Sequence, residues 1–156
     1  MSKPNSAMQN ILHIAAIYKR EEAFSKAATD KKVDINMADE FGNTPFHYAA
    51  RAGSVAMIGT MVAAKAKKIA NQFHQYPIHM AIESGVPECV DSLRGDISKH
   101  YPKYSPIHSA CRSGSPRLIE RVLELKPSTL NEQDYKGLTP LHHAVMYTPY
   151  YSAWKT

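Results

Sequence analysis

Thr44-Pro45-Phe46-His47-Tyr48-Ala49-Ala50-Arg51-Ala52-Gly53 is the stretch whose reading decides the fold. It opens as a helix start. Thr44 carries a hydroxyl that accepts from free backbone N–H groups at an N-cap. Pro45 then takes the first helical position, where its missing N–H would have had no partner. Gly53 stands six residues after His47 and ends the helix in a conformation that glycine adopts cheaply.

Outward from this stretch the pattern recurs as Asn10–His13 (NILH), Tyr76–His79 (YPIH), Ser105–His108 (SPIH) and Thr139–His142 (TPLH). The spacings from His to His are 34, 32, 29 and 34 residues. Alanine follows each His by two positions, at Ala15, Ala49, Ala81, Ala110 and Ala144. A small or aliphatic residue comes next: Ala16, Ala50, Ile82, Cys111 and Val145. Gly85 and Gly114 repeat the role of Gly53. A fixed period of this length marks a repeat array in which neighbouring units cover one another. A second helix is expected in each unit, at about Glu22–Ala28, Val55–Ala64, Glu88–Arg94 and Pro116–Leu125. Its apolar positions, such as Leu118, Ile119, Val122 and Leu123, fall at helical spacing.

These motifs resemble the ankyrin repeat family over about residues 8 to 147. The resemblance implies an all-α fold, an ankyrin-repeat solenoid of stacked helix–turn–helix pairs with β-hairpin fingers. It implies a single domain over 1–156, with repeats at about 8–37, 42–71, 74–98, 103–132 and a partial one at 137–156. In such a fold Gly42 and Gly137 supply finger turns, and the repeat histidine bonds backbone groups and links neighbouring repeats.

The departures carry their own expectations. The first repeat has Lys19 in place of the glycine, and Lys19 to Glu22 suit a polar cap. Tyr76 stands where a capping hydroxyl belongs and is too long to reach its own helix start. His74 and Lys103 replace the finger glycine, so those two fingers are expected to bend differently. The third repeat is short, its second helix is expected to end near Arg94-Gly95, and Asp96 to Tyr104 should take an irregular path. The fifth repeat meets Pro149, which ends its first helix. The inner face of the fourth repeat is then partly uncovered, to be capped by Tyr150–Thr156 or by further chain, and the uncovered end of the incomplete fifth repeat is expected to be able to pair with a second copy in a closed two-fold homodimer.

Composition is that of an ordinary globular domain, with 44% apolar and 21% charged residues over 156 positions. No apolar run is long enough to span a membrane. The start, MSKPNSAMQN, has no apolar segment of a signal peptide. Two cysteines make no disulfide framework. A reducing, cytoplasmic setting is therefore expected. Nineteen basic against 14 acidic residues give a formal charge of +5, a mild excess. The clusters Lys31-Lys32 and Lys65, Lys67, Lys68 lack interleaved aromatics and read as a solvated face rather than a nucleic-acid site.

Catalysis and cofactors find no support in the sequence. The repeat histidines fall one per repeat, about 10 Å apart at ordinary helix spacing, too far for one metal ion. His74 and His100 are two finger histidines with no further ligand near them in sequence. Cys111 sits in the small-residue column and Cys89 beside Val90, so both read as buried thiols. No nucleophile elbow, zinc-protease or phosphate-loop motif is present.

The expected function is protein–protein interaction, as an adaptor or scaffold. An aromatic recurs in each finger: Phe41, Phe73, Tyr101 and Tyr135. The first helices offer Tyr48, Arg51, Met80, Glu83, Arg112, His143 and Tyr147 on the side that is concave in the family. Aromatics and arginine dominate binding hot spots. These residues are the candidate partner-binding set, although the finger aromatics could equally pack on one another. A second expectation is a regulatory N-terminal array of a larger enzyme or channel. YPIH and HYPKYSPIH are similar to the ankyrin region of calcium-independent phospholipases. A third is a bacterial effector acting on host proteins.

Overall fold

The computed structural model describes Asn5, residues 8–126 and residues 130–147. Its described elements are α1 (Ile11–Ile17), α2 (Glu21–Thr29), α3 (Pro45–Arg51), α4 (Val55–Ala63), α5 (Pro77–Glu83), α6 (Pro87–Ser92), α7 (Arg94–Ile97), α8 (Pro106–Ser113), α9 (Pro116–Leu125) and α10 (Pro140–Tyr147). Among the described residues there is no strand. The short first helices form one layer, in the order α1, α3, α5, α8, α10, and the second helices form the other. This is the solenoid of helix pairs that the repeat implies.

One ring per repeat holds the layer together. The backbone N–H of the N-cap donates to Nδ1 of the histidine three residues on: Asn10 to His13 at 3.1 Å, Thr44 to His47 at 3.0 Å, Tyr76 to His79 at 2.9 Å and Ser105 to His108 at 3.1 Å. Histidine thus takes the place of the Glu or Gln that reaches back in a capping box. Because Nδ1 accepts, the proton sits on Nε2. Nε2–H then donates into the next repeat, to the carbonyls of Asn43, Gln75, Tyr104 and Leu138 at 3.0, 2.8, 2.8 and 3.1 Å. Each of these carbonyls lies just before the next N-cap. Tyr76 fills its position with its backbone alone, so the missing hydroxyl does not break the pattern.

Around these rings the aliphatic columns are sealed. Leu12, Phe46, Ile78 and Ile107 are buried, as are Ala16, Ala50, Ile82 and Cys111. Cys89 is also in the core, and burial pushes its thiol pKa up to about 11. The same columns in α10 are open: Leu141 is 71% and Val145 74% exposed. Ile119 and Leu123 of α9 are only half-buried, whereas Ile58, the counterpart of Ile119, is fully buried. Among the described residues, α9 and α10 thus keep apolar surface that the earlier repeats bury. The expectations about Thr148–Thr156 lie outside the described residues.

The fingers are tight two-bond turns, as where Asp39 N–H donates to the Asn43 carbonyl and Gly42 N–H to the Asp39 carbonyl, both at 2.9 Å, and among the described residues they do not extend into strands. An Asx side chain five residues before the N-cap organises three of them. Asp39 Oδ1 accepts from Phe41 and Asn43 N–H, Asn71 Oδ1 from Phe73 and Gln75, and Asp134 Oδ1 from Lys136 and Leu138. Neighbouring fingers share single backbone bonds, Gln72 N–H to Phe41 C=O at 3.0 Å and Tyr135 N–H to Lys103 C=O at 2.8 Å. His74 has φ 62°, close to the 78° of Gly42 and Gly137, so its finger bends like theirs. Ahead of α1, Met8 N–H donates to the Asn5 carbonyl at 2.9 Å and Gln9 N–H to Asn5 Oδ1 at 2.9 Å, with Met8 at φ 61°.

The finger before α8 is the exception. The second helix of the third repeat breaks at Leu93 and resumes as α7, so Arg94-Gly95 is a kink and not an end. Asp96 and Ile97 are thereby helical and buried. Tyr101 folds inward, 9% exposed, with its hydroxyl donating to the Asp96 carbonyl at 2.8 Å. Its ring packs 5.0 Å from both Tyr76 and His79. It fills the space that the shortened repeat leaves open. Tyr101 is therefore a core residue and not an exposed finger aromatic.

Acid should weaken the stack in a defined window. Burial lowers the pKa of His47 to about 4 and of His79 to about 3, against backbone hydrogen bonds that favour the proton. His13 and His108 are lowered for the same reason. The unfolded chain binds these protons near pH 6.5 and the folded chain does not. Stability is then full above about pH 6.5 and falls toward pH 4, by on the order of 1 kcal/mol per pH unit for each histidine that titrates. Urea titrations at a series of pH values should show the midpoint dropping across this range. A flat midpoint from pH 7 to pH 4.5 would contradict the buried neutral rings. The turn at Gly42 gives a second expectation. A Cβ there would meet Gln72 N at 3.0 Å, while one at Gly137, with the same φ of 78°, meets nothing within 4 Å. Gly137→Ala should cost about 1–2 kcal/mol from the left-handed conformation alone, and Gly42→Ala measurably more in the same titration.

Candidate functional site

The first helices and the fingers enclose an open cleft of about 400 Å³. Two helical columns line it. One holds residues one after a repeat histidine, of which Met80 and His143 line the cleft, and the other holds residues four after it, of which Arg51, Glu83, Arg112 and Met146 do. This spacing puts both columns on the face turned toward the fingers.

Glu83 sits at the centre. Its Oε1 accepts from Gln75 Nε2 at 3.1 Å, Ser109 Oγ at 3.2 Å and Tyr104 OH at 3.4 Å. Burial raises its pKa, and the Arg112 and Arg51 charges on either side oppose the rise. Burial works against the Arg112 charge as well, but Glu83, Tyr104 and Tyr147 together outweigh it and the guanidinium pKa is raised. Arg112 also lies over the Tyr147 ring, 4.2 Å from its centroid. Tyr104, one residue before the N-cap of α8, is buried beneath, and its burial together with Glu83 pushes its pKa up to about 12.

A second polar knot joins the last finger to α10. His143 Nε2 lies 2.7 Å from Asp134 Oδ2. Burial alone would raise the Asp134 pKa, but the bonds from His143 and from the Leu138 and Lys136 backbone bring it below the usual carboxylate range. The His143 ring stacks on Tyr147 at 5.7 Å and meets Tyr104 and His108 edge-on. Its Nδ1 is buried without a hydrogen-bond partner among the described residues. At the other end Tyr48 OH donates to Asp39 Oδ2 and accepts from Gln9 Nε2 at 3.2 Å.

The candidate residues thus divide. Arg51, Glu83, Arg112, Phe73, Met80, Tyr135, His143 and Tyr147 line one cleft. Within it Met80 and His143 are buried and have little surface of their own to offer. Phe41, Phe73 and Tyr135 are the exposed finger aromatics, at 46%, 49% and 42%. Tyr135 packs on His74 at 4.7 Å, reaching past the inward-folded third finger. Tyr48 borders a separate shallow groove with Arg51. Tyr101 lies outside the cleft, in the core. Sequence reasoning missed Tyr104, Gln75 and Asp134; the fixed five-residue distance from Asp39, Asn71 and Asp134 to the N-cap could have found the last. Among the described residues no three His, Cys, Asp or Glu side chains are grouped to hold a metal ion. No described helix is long and apolar enough to cross a membrane.

Comparison with known proteins agrees with this architecture. Residues 12–60 match a family profile described as ankyrin repeats (many copies), and residues 78–153 one described as ankyrin repeats (3 copies). The chain is 31% identical over 152 residues to the tyrosine-protein kinase Shark of Drosophila melanogaster, covering 90% of this chain and 16% of the kinase. It is 36% identical over 122 residues to alpha-latrotoxin-Lh1a of Latrodectus hasselti, covering 72% of this chain and 9% of the toxin. It is 28% identical over 160 aligned positions to the probable 26S proteasome regulatory subunit p28 of Saccharomyces cerevisiae, covering 92% of this chain and 70% of the subunit. The chain therefore spans only a small part of the first two relatives. With the histidine bridges, the paired helices and both profile matches in agreement, the chain belongs to the ankyrin repeat family.

Proposed function

We propose that this array is an adaptor that holds a partner protein against its concave face, with the cleft around Glu83 and Arg112 at the centre and the finger aromatics at its rim. Ankyrin repeats are generally protein–protein interaction modules and generally non-catalytic. The observation that carries the reading is the pairing of a fixed charged centre with exposed aromatics. Arg51, Glu83 and Arg112 come from three successive helices, and Phe73 and Tyr135 stand above them. The face is already ordered by its hydrogen bonds, so binding costs little further side-chain entropy. Two buried unpaired cysteines suit a reducing compartment, and we place the protein in the cytoplasm.

A second reading has the array serving a longer polypeptide as a regulatory unit. It is supported by the open columns of α10 and by relatives of which the chain spans 16% and 9%. His142 Nδ1 accepts from Thr139 N–H at 2.9 Å, as in the other repeats, and its Nε2 has no carbonyl partner among the described residues. The same open end could instead receive a second copy in a homodimer.

The concave reading is tested with Phe41→Ala, Arg51→Ala and Phe73→Ala combined. All three side chains are exposed, so the fold should survive, which circular dichroism checks. A partner identified with the unaltered chain should lose at least about thirtyfold in affinity, the scale of a hot-spot residue. Retention of full affinity by the folded variant would place the binding site elsewhere.

A further inference from the structure

Seven lysines lie in the segments that leave the second helices and lead toward the fingers. Lys31 and Lys32 follow α2, and Lys65, Lys67 and Lys68 follow α4. Lys99 follows α7 and Lys126 follows α9. Bonds between repeats place these segments side by side. Lys67 N–H donates to Asn36 Oδ1 at 2.8 Å, joining the segment after α4 to the one after α2. Lys68 and Lys99 both reach Asp96, at 2.7 and 2.6 Å, which joins the next pair. Lys126 Nζ donates to the Lys99 carbonyl at 3.3 Å, which joins the last. The lysines therefore form one continuous edge across four repeats.

Little on this edge neutralises them. Asp30 and Asp34 accept from the N–H groups of Lys32 and Asn36 in their own turns. Burial would raise the Asp96 pKa, but Lys68 and Lys99 hold it below the usual range. Seven lysines against four carboxylates, Asp30, Asp34, Asp96 and Glu132, leave a formal +3 on this edge, out of +5 for the chain. Favourable interaction with helix C-termini fades beyond the last turn and does not account for Lys31, Lys67 and Lys68.

We propose that this lysine edge docks an extended acidic segment of a partner protein. The edge is a single row, which matches a linear polyanion better than a plane of lipid headgroups. Among the described large apolar side chains in these segments only Ile69, at 38%, and Leu130 are exposed, which is little to anchor in a membrane. Among the described residues no exposed Phe, Tyr or Trp stands among the lysines to stack a base. Lysine gives compact charge on a flexible stem rather than the fork that fixes a bidentate partner, and so suits a run of carboxylates. Repeats step by about 10 Å and an extended chain rises about 3.3 Å per residue. Every third residue of such a segment can therefore meet a lysine.

The test uses the full chain and a fluorescein-labelled oligoglutamate peptide of about twelve residues, which is long enough to span the row. Anisotropy should show binding at low salt that disappears toward about 0.5 M, where screening is short-ranged. Lys31→Gln, Lys32→Gln and Lys67→Gln remove three charges whose side chains make no hydrogen bond or ion pair among the described residues. The folded triple variant should bind about tenfold more weakly. Lack of peptide binding by the unaltered chain, an unchanged affinity in the variant, or phosphatidylserine vesicles or single-stranded DNA binding as tightly as the peptide would each overturn the proposal.

Discussion

A neutral imidazole that accepts at one nitrogen and donates at the other couples two levels of this structure at once. Nδ1 closes the start of its own helix, and Nε2–H reaches the carbonyl just ahead of the next helix. Each helix is only seven or eight residues long in the inner layer, too short to persist alone. Its start and its position relative to its neighbour are fixed by the same ring. The ring is buried, so both bonds form away from competing water and the proton that would spoil the acceptor is expelled. Stacking, helix capping and protonation are thus one constraint seen three ways.

That constraint explains which irregularities the array tolerates. Tyr76 replaces a capping hydroxyl without harm, because the bond to His79 comes from its backbone. His74 and Met8 take left-handed turns where glycine stands elsewhere, because the surrounding finger bonds hold them there. The shortened third repeat keeps its histidine bridge and absorbs the lost residues in the loop, where Leu93 kinks the helix and Tyr101 fills the gap. Where the bridge has no described acceptor, at His142, the aliphatic columns beside it are open to solvent.

The helix starts, the period and the two-layer stack were legible because they rest on local chemistry: a capping group, proline at the first position, a small column. The finger geometry was less so. A left-handed residue is supplied by Gly42, His74 and Met8 alike, and only the Asx residue five positions before the N-cap is common to the clear cases. The break at Leu93 was misread because Gly95 looks like a helix end, whereas the chain resumes its helix through it. The charged column Arg51, Glu83, Arg112 followed from helical spacing and was recovered as one cleft. The Asp134–His143 bond and the inward turn of Tyr101 join a finger to a helix face, and no sequence spacing announces such a contact. The two surfaces that result differ in kind. The concave cleft is shaped and internally bonded, while the lysine edge is open and electrostatic, so a partner could engage one without the other.

The most direct measurement is a long-range proton–nitrogen NMR correlation of the histidine rings followed from pH 7.5 down to pH 5. All four bridge histidines, His13, His47, His79 and His108, should show the Nε2–H tautomer at pH 7.5; His47 and His79 should stay neutral throughout, and His13 and His108 should titrate below the pH of a free histidine, while the native spectrum persists. Rings in the Nδ1–H tautomer, or titration of these four near the ordinary pH 6.5 of a free histidine, would contradict the bridge on which the stack depends.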